Sequence, residues 1–152
     1  DGNTPAAFHA KCDNKGATIV VAKIENSEQI VGGYNPLYWN SSNCNMSIID
    51  SFIYFFADKN NYETAKVSYS NGNEYSIRNY SGKVSYSNGN KYSIRNYSGY
   101  GPIFGGGNDL IYCSDGMWYC NRGIYSSYHK IDGMPTGGFN VNDYEVFQVI
   151  EK

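Results

Sequence analysis

The chain has 152 residues, enough for one domain with a real core, and a formal net charge of -2. No basic stripe is present to neutralise phosphates, which argues against nucleic acid as a partner. Tyr, Asn, Ser and Gly are plentiful and charged residues scarce, a composition of strands and turns rather than long helices.

In chain order, Thr4-Pro5 followed by AAFHAKCDNKG predicts a short helix, with Thr4 as N-cap, Pro5 at the first helical position and Gly16 as the stop. Phe8 and Cys12 share its buried face. His9 reads as a surface histidine beside a packed thiol, since no orienting partner or oxyanion hole can be named for a Cys-His pair.

The stretch Thr18 to Trp39 is the centre of the predicted core. An apolar run from Ile19 to Ile24, a polar turn at Glu25-Asn26-Ser27-Glu28 and a second β-prone run from Gln29 to Tyr34 read as a hairpin. Ile19, Val20 and Val21 leave no polar face, so this strand is expected to be covered on both sides. The Gly32-Gly33 pair implies a bulge or a close backbone approach. Trp39 is a core or rim aromatic, Asn40 to Ser47 a polar loop, Ser51 to Phe56 a second strand buried on both faces, and Asp58 to Thr64 a polar connection.

A duplication follows. Lys66 to Gly82 and Lys83 to Gly99 differ only at Glu74 versus Lys91. Two copies are too few for a repeat array, so the pair reads as a tandem copy of one hairpin. A three-residue loop at Asn71-Gly72-Asn73 would pair Tyr69 with Tyr75 and Val67 with Ile77, which keeps the apolar sets on one face. The flanking sheet is built for one hairpin. Copy one, copy two, or the first strand of one with the second strand of the other therefore compete for one place. One copy is expected to pack and the other to extend the sheet or loop out, with extra strand edges inviting self-association.

Tyr100 to Tyr112 carries turn residues, Gly105-Gly106-Gly107 and then a strand. The glycines lack the spacing and the following Lys-Ser/Thr of a phosphate loop, so they read as a tight bend. Cys113 to Cys120 reads as a strand, an Asp115-Gly116 turn and a returning strand, which sets the two thiols near one another. Zinc would need two more ligands, and His129 alone does not complete a set, so no metal and no cofactor are expected. Ser126 to Gly138 reads as loop. Phe139 to Ile150 is a last strand with Val146, Phe147, Val149 and Ile150 for the core, and Glu145 within it must be paired if buried.

No run of about 18 apolar residues and no leader pattern is visible, so no membrane insertion is expected. Cys12, Cys44, Cys113 and Cys120 show no C-x-x-C spacing and read as reduced thiols of an intracellular, cytoplasmic protein, with two disulfides as the alternative. The sequons at Asn40, Asn45, Asn79 and Asn96 are largely chance matches in a chain so rich in Asn and Ser.

Taken in order, DGNTPAAFHAKCDNKG, TIVVAKIENSEQIVGGYNPLYW, DSFIYFF, YGPIFGGGNDLIY and DYEVFQV resemble the TLDc domain, in the form abundant in fungi as the C-terminal part of BTB-containing proteins. The match covers nearly the whole of residues 1–152 as a single domain. It lacks the family segment that precedes Asp1-Gly2, and the duplicated hairpin at 66–82 and 83–99 is not typical of the family. The resemblance implies a mainly β (α+β) fold, two antiparallel sheets packed as a sandwich with a few short helices. It also implies a role in oxidative-stress resistance and binding to a subunit of the vacuolar-type proton pump. The family positions it carries over are Asp13, Gly16 and Thr18 at the start of the first strand, Gly33 in the hairpin, Ser51 and Phe52 on the middle strand, Phe104 and Gly105 to Gly107 at the bend, and Glu145 on the last strand. No catalytic set is established for the family, and these positions read mainly as structural.

The leading expectation is a non-catalytic regulatory domain that binds protein partners. One alternative is a thiol-dependent antioxidant enzyme using Cys12 or Cys113, which needs an exposed thiol of lowered pKa, and Cys12 has only Lys11 and His9 near it in sequence. Another is a secreted glycan-binding module rich in Tyr and Asn.

Overall fold

A computed structural model describes residues 3–69, 92–120 and 126–150 of the chain. Thr4 is extended and its Oγ1 accepts the Ala7 N–H at 3.1 Å, while Pro5 supplies a pre-set φ, so helix α1 runs Pro5–Cys12. Asp13 is extended and closes the helix. Asn14 and Gly16 then take φ of 60° and 81°, so the turn into the first strand begins before Gly16 is reached.

The protein is mainly β, with two antiparallel sheets packed as a sandwich. The five-stranded sheet has the order β11-β1-β2-β4-β5, built from β1 (Thr18–Ile24), β2 (Ile30–Asn35), β4 (Phe52–Phe56), β5 (Ala65–Tyr69) and β11 (Val141–Gln148). The six-stranded sheet has the order β10-β9-β8-β7-β6-β3, from β3 (Cys44–Met46), β6 (Ile94–Asn96), β7 (Ile103–Phe104), β8 (Leu110–Tyr112), β9 (Trp118–Cys120) and β10 (Gly137–Phe139). The β1–β2 hairpin lies inside the first sheet, with Val20 opposite Gly33 and Ala22 opposite Val31. The β4 strand pairs with β2, and β11 pairs with the other side of β1.

The core fills the space between the inner faces. Val20, Val31 and Phe55 of one sheet meet Phe104, Leu110 and Trp118 of the other, and α1 contributes Phe8 and Cys12. Phe8, Trp39 and Phe104 form a run of edge-to-face rings at 5.4 and 5.5 Å, which ties α1 to both sheets. Burying the Trp39 indole requires a partner for its N–H, and Thr18 Oγ1 accepts it at 2.8 Å.

Several expectations are corrected. The Asn40 to Ser47 loop contains β3, and the Ser126 to Gly138 loop ends in β10. Both strands are three residues long, too short to show a period. His9 is buried at 8% exposure, because the 97–100 segment folds over it. The β8–β9 hairpin turns at Gly116, but Cys120 pairs with Leu110, and Cys113 bonds Met117 beside the turn. The two cysteines thus lie at opposite ends of the hairpin, and neither is in a disulfide. Of the two readings of Gly32-Gly33, the bulge is absent and the close backbone approach is present: a Cβ on Gly32 would strike the Val20 carbonyl and the Tyr54 ring, while one on Gly33 would meet the Phe104 ring at 2.6 Å.

The described ends of the duplication fall in different sheets. The first strand of copy one is β5, paired with β4, and the second strand of copy two is β6, between β3 and β7. The expected pairing of Tyr69 with Tyr75 and Val67 with Ile77 lies outside the described residues.

Candidate interaction surface

Alternation on β1 is strict in burial: Thr18, Val20, Ala22 and Ile24 are buried, while Ile19, Val21 and Lys23 are half-buried. The apolar run therefore has an inner face in the core and an apolar outer face. Cross-strand register carries that outer face over the sheet. One row runs Phe147, Ile19, Tyr34, Phe52, and the next Glu145, Val21, Gly32, Tyr54, Val67. A third row runs Asp143, Lys23, Ile30, Phe56.

The expectation that β1 is covered on both sides is thus corrected, whereas β4 is buried on both faces at Ile53, Tyr54 and Phe55 and open only at its ends. Phe52 and Phe56 are half-buried, and Phe147 is 51% exposed. Nor do Val149 and Ile150 join the core; Ile150 is 76% exposed, and of the last strand it is Tyr144 and Val146 that pack inward. Glu145 is exposed and needs no buried partner.

Aromatic rings organise the face. Tyr34 and Phe52 lie 5.2 Å apart, and Tyr54 meets Phe56 edge-on at 5.8 Å. Tyr54 crosses the bare backbone of Gly32 and donates its hydroxyl to the Val20 carbonyl at 2.7 Å. Its hydroxyl is desolvated, which pushes the phenol pKa up. Tyr54 is itself buried, and the partly exposed rings around it, Tyr34, Phe52, Phe56 and Phe147, lie on a sheet whose backbone groups are already paired and can bury apolar area against a partner without breaking any hydrogen bond.

The family-motif residues lie mainly inside. Asp13 Oδ1 sits 2.7 Å from His9 Nδ1, its Oδ2 accepts from Ser41 Oγ at 2.8 Å, and its backbone bridges to Trp39. His9 Nε2 in turn lies 2.9 Å from the Tyr100 carbonyl and 3.1 Å from that of Tyr97. Both ring nitrogens thus face oxygen acceptors. Thr18 and Phe104 meet Trp39, and Gly33 lies against the Phe104 ring. Gly16 stands apart at φ 81°, with open space around it.

Ser51 and the glycine bend belong to a second polar cluster. Ser51 Oγ donates to the Tyr34 carbonyl at 2.8 Å and lies 2.6 Å from the Tyr128 hydroxyl, which reaches the Ser93 carbonyl at 3.0 Å. The Gly105 N–H donates to that same carbonyl, and Gly106 N–H to Ser127 Oγ. Gly105 has φ 87°, and a Cβ there would strike Asp109. A Cβ on Gly107 would meet the Ser126 backbone at 2.8 Å. Phe52 and Glu145 alone of the motif positions lie on the outer face.

Sequence reading missed Asp109. It is fully buried, and desolvation raises its carboxyl pKa to about 6 against hydrogen bonds from Ser126, Ser127 and Tyr128. The signal was a carboxylate placed directly before the apolar strand Leu110-Ile111-Tyr112.

Two thiols, Cys12 and Cys120, are shifted away from reactivity. Burial and the neighbouring Asp13 carboxylate raise the pKa of Cys12, outweighing Lys11, and burial with Asp109 raises that of Cys120. Cys12 does line a groove of about 780 Å³ between α1 and β11, bounded by Lys11, Asp143 and Glu145. Among the described residues no three of His, Cys, Asp and Glu group to hold a metal ion, and no helix is long and apolar enough to cross a membrane. Comparison with models of known protein families finds no match, and comparison with curated protein sequences finds none.

Proposed function

We propose that this chain is a non-catalytic interaction domain of the TLDc type, serving oxidative-stress resistance by docking a protein partner, with a subunit of the vacuolar-type proton pump as the candidate. The observation that carries this reading is the aromatic outer face of the five-stranded sheet, Tyr34, Phe52, Tyr54 and Phe56 with Phe147 at its edge. Apolar area left on a sheet face is unfavourable in water unless something covers it. The raised pKa of Cys12 supports the same reading, because a thiol-dependent enzyme using that residue needs the opposite shift.

The test is titration of the purified chain with isolated proton-pump subunits, alongside a peroxide-consumption assay. Saturable binding that weakens at least about tenfold in Phe52→Ser, with unchanged circular dichroism, is the expected result. Peroxide turnover lost on replacing Cys12 or Cys113 by serine would establish the antioxidant-enzyme alternative instead.

A further inference from the structure

The apolar outer face is not electrically even. At the end of the sheet where the β1–β2 turn, the end of β4 and the following turn come together lie Glu25, Glu28, Asp58, Glu63 and Asp143. Two cations stand among them in the described residues, Lys23 and Lys59. Lys59 is spent on Glu28 at 2.9 Å, and Lys23 faces Asp143 across the β1–β11 ladder. Glu28 has its pKa lowered by Lys59 and Lys23 against Asp58, and Lys59 is raised by Glu28, so these four side chains lie in one cluster. Lys66 turns inward, its Nζ donating to the Asp132 carbonyl at 2.7 Å. The opposite end, Phe147, Ile19, Tyr34 and Phe52, carries no charge in its row.

Geometry narrows the occupant. Five strands at about 4.8 Å and residues spaced about 3.3 Å along them make a face about 19 Å by 13 Å. Its diagonal, about 23 Å, is the length of a helix of about 15 residues. An added strand would find no free backbone donors on the face, since the ladders of β1, β2 and β4 consume them, whereas a helix needs side-chain contact alone. A second copy docked through the same face would bring the same acidic end and, among the described residues of that face, no complementary basic end.

We infer that the outer face of the five-stranded sheet docks an amphipathic helix of a partner protein, its apolar stripe on Val21, Tyr34 and Phe52 and its Lys or Arg residues at the Glu25–Asp143 end. This rests on the reading of that face as the docking surface and adds the chemistry of what docks. Charge at the rim sets orientation and selects against acidic helices, while the aromatic rows supply the affinity.

The test uses two synthetic peptides of about 15 residues. Both carry leucines on one helical stripe, one with lysines and the other with glutamates on the remainder. Binding to the full chain is followed by calorimetry and by amide chemical shifts. The expected result is that the leucine–lysine peptide binds at least about tenfold tighter than its acidic counterpart and shifts β1, β2 and β4. Glu25→Lys with Glu63→Lys, both exposed positions, should reverse the preference, and Phe52→Ser should weaken both peptides with circular dichroism unchanged. Equal binding of the two peptides, shifts confined to the α1–β11 groove, or dimerisation through the face in place of peptide binding would overturn the inference. If pump subunits still bind in a Phe52-dependent manner while the peptides show no preference, the docking face stands and the basic helix falls.

Discussion

The carboxylate of Asp109 accepts the Ser127 N–H at 2.7 Å and the Tyr128 N–H at 3.3 Å, so one buried side chain ends β8's approach and holds the segment that reaches Ser51. Its Oδ1 has no hydrogen-bond partner among the described residues. Desolvation dominates, and the folded pKa of about 6 lies above the ordinary 3.8. The protonated form is therefore the one the fold favours. Its stabilising effect is complete below pH 3.8 and is lost as pH rises through about 6, a change of about 3 kcal/mol. Urea denaturation between pH 4 and pH 7 should show stability falling across that window. Asp109→Asn retains an acceptor for both N–H groups and should remove the slope, whereas Asp109→Ala should cost about 2–4 kcal/mol throughout. An unchanged slope in Asp109→Asn would show that another group titrates.

Glycines offer a graded test of packing. At Gly32 a Cβ meets backbone, the Val20 carbonyl, as well as the Tyr54 ring, while at Gly33 it meets only the Phe104 ring at 2.6 Å. Backbone cannot yield as a ring can. Gly32→Ala should therefore destabilise most, Gly33→Ala by about 1–3 kcal/mol, and Gly16→Ala by about 1 kcal/mol from its φ of 81° alone. Denaturation midpoints in that order confirm the packing; Gly16 as the worst of the three would refute it.

Ser51 and Tyr128 connect the layers, since Tyr34 belongs to β2 and Ser93 directly precedes β6. Ser51→Ala and Tyr128→Phe should each cost about 1–2 kcal/mol, with a coupling of at least about 0.5 kcal/mol in the double-mutant cycle. Additive losses would mean that the 2.6 Å contact contributes nothing.

What was legible in the sequence was local. The Thr4 cap, the Pro5 start and the β1–β2 hairpin each depend on neighbours a few residues away, and each stands as read. The outer face was misjudged because an apolar run states only that both sides are apolar, not whether a second layer lies over each. Burial of His9 depends on carbonyls at Tyr97 and Tyr100, and that of Asp109 on donors at Ser127 and Tyr128, contacts no short-range pattern carries. Of the motif positions, Asp13, Thr18, Gly33 and Phe104 converge because each touches Trp39 or the Phe104 ring set edge-on against it.

The duplication predicts tolerance of its own removal. Among the described residues, docked side chains come from Lys66 to Ser68 in copy one and Ser93 to Asn96 in copy two, and a chain lacking Lys83 to Gly99 still contains Ser76-Ile77-Arg78-Asn79, identical to the latter. Residues 70–75 would then bridge the sheets. Their extended reach of about 20 Å exceeds the roughly 10 Å between packed layers. The shortened chain should unfold cooperatively within a few degrees of the parent, a difference of about 1 kcal/mol or less. Loss of the cooperative transition would mean that the removed residues supply contacts of their own.

Tyr54 sits where stability and the docking face meet. Its hydroxyl reaches the Val20 carbonyl at 2.7 Å across Gly32, and burial pushes its pKa above the ordinary 10. A raised folded pKa means that the neutral phenol is the favoured form, so its contribution is present below pH 10 and is lost as pH rises through the folded value. Tyr54→Phe should cost about 1 kcal/mol at neutral pH and make the alkaline loss of stability shallower. It should not abolish that loss, because Tyr112 and Tyr144 are raised in the same direction. Tyr62→Phe, at a residue 80% exposed, should leave stability unchanged and serves as the control. Thermal denaturation of the three proteins from pH 7 to pH 11 decides the matter: an alkaline limb identical in Tyr54→Phe and parent would show that the ring covers Gly32 without its hydroxyl contributing to the fold.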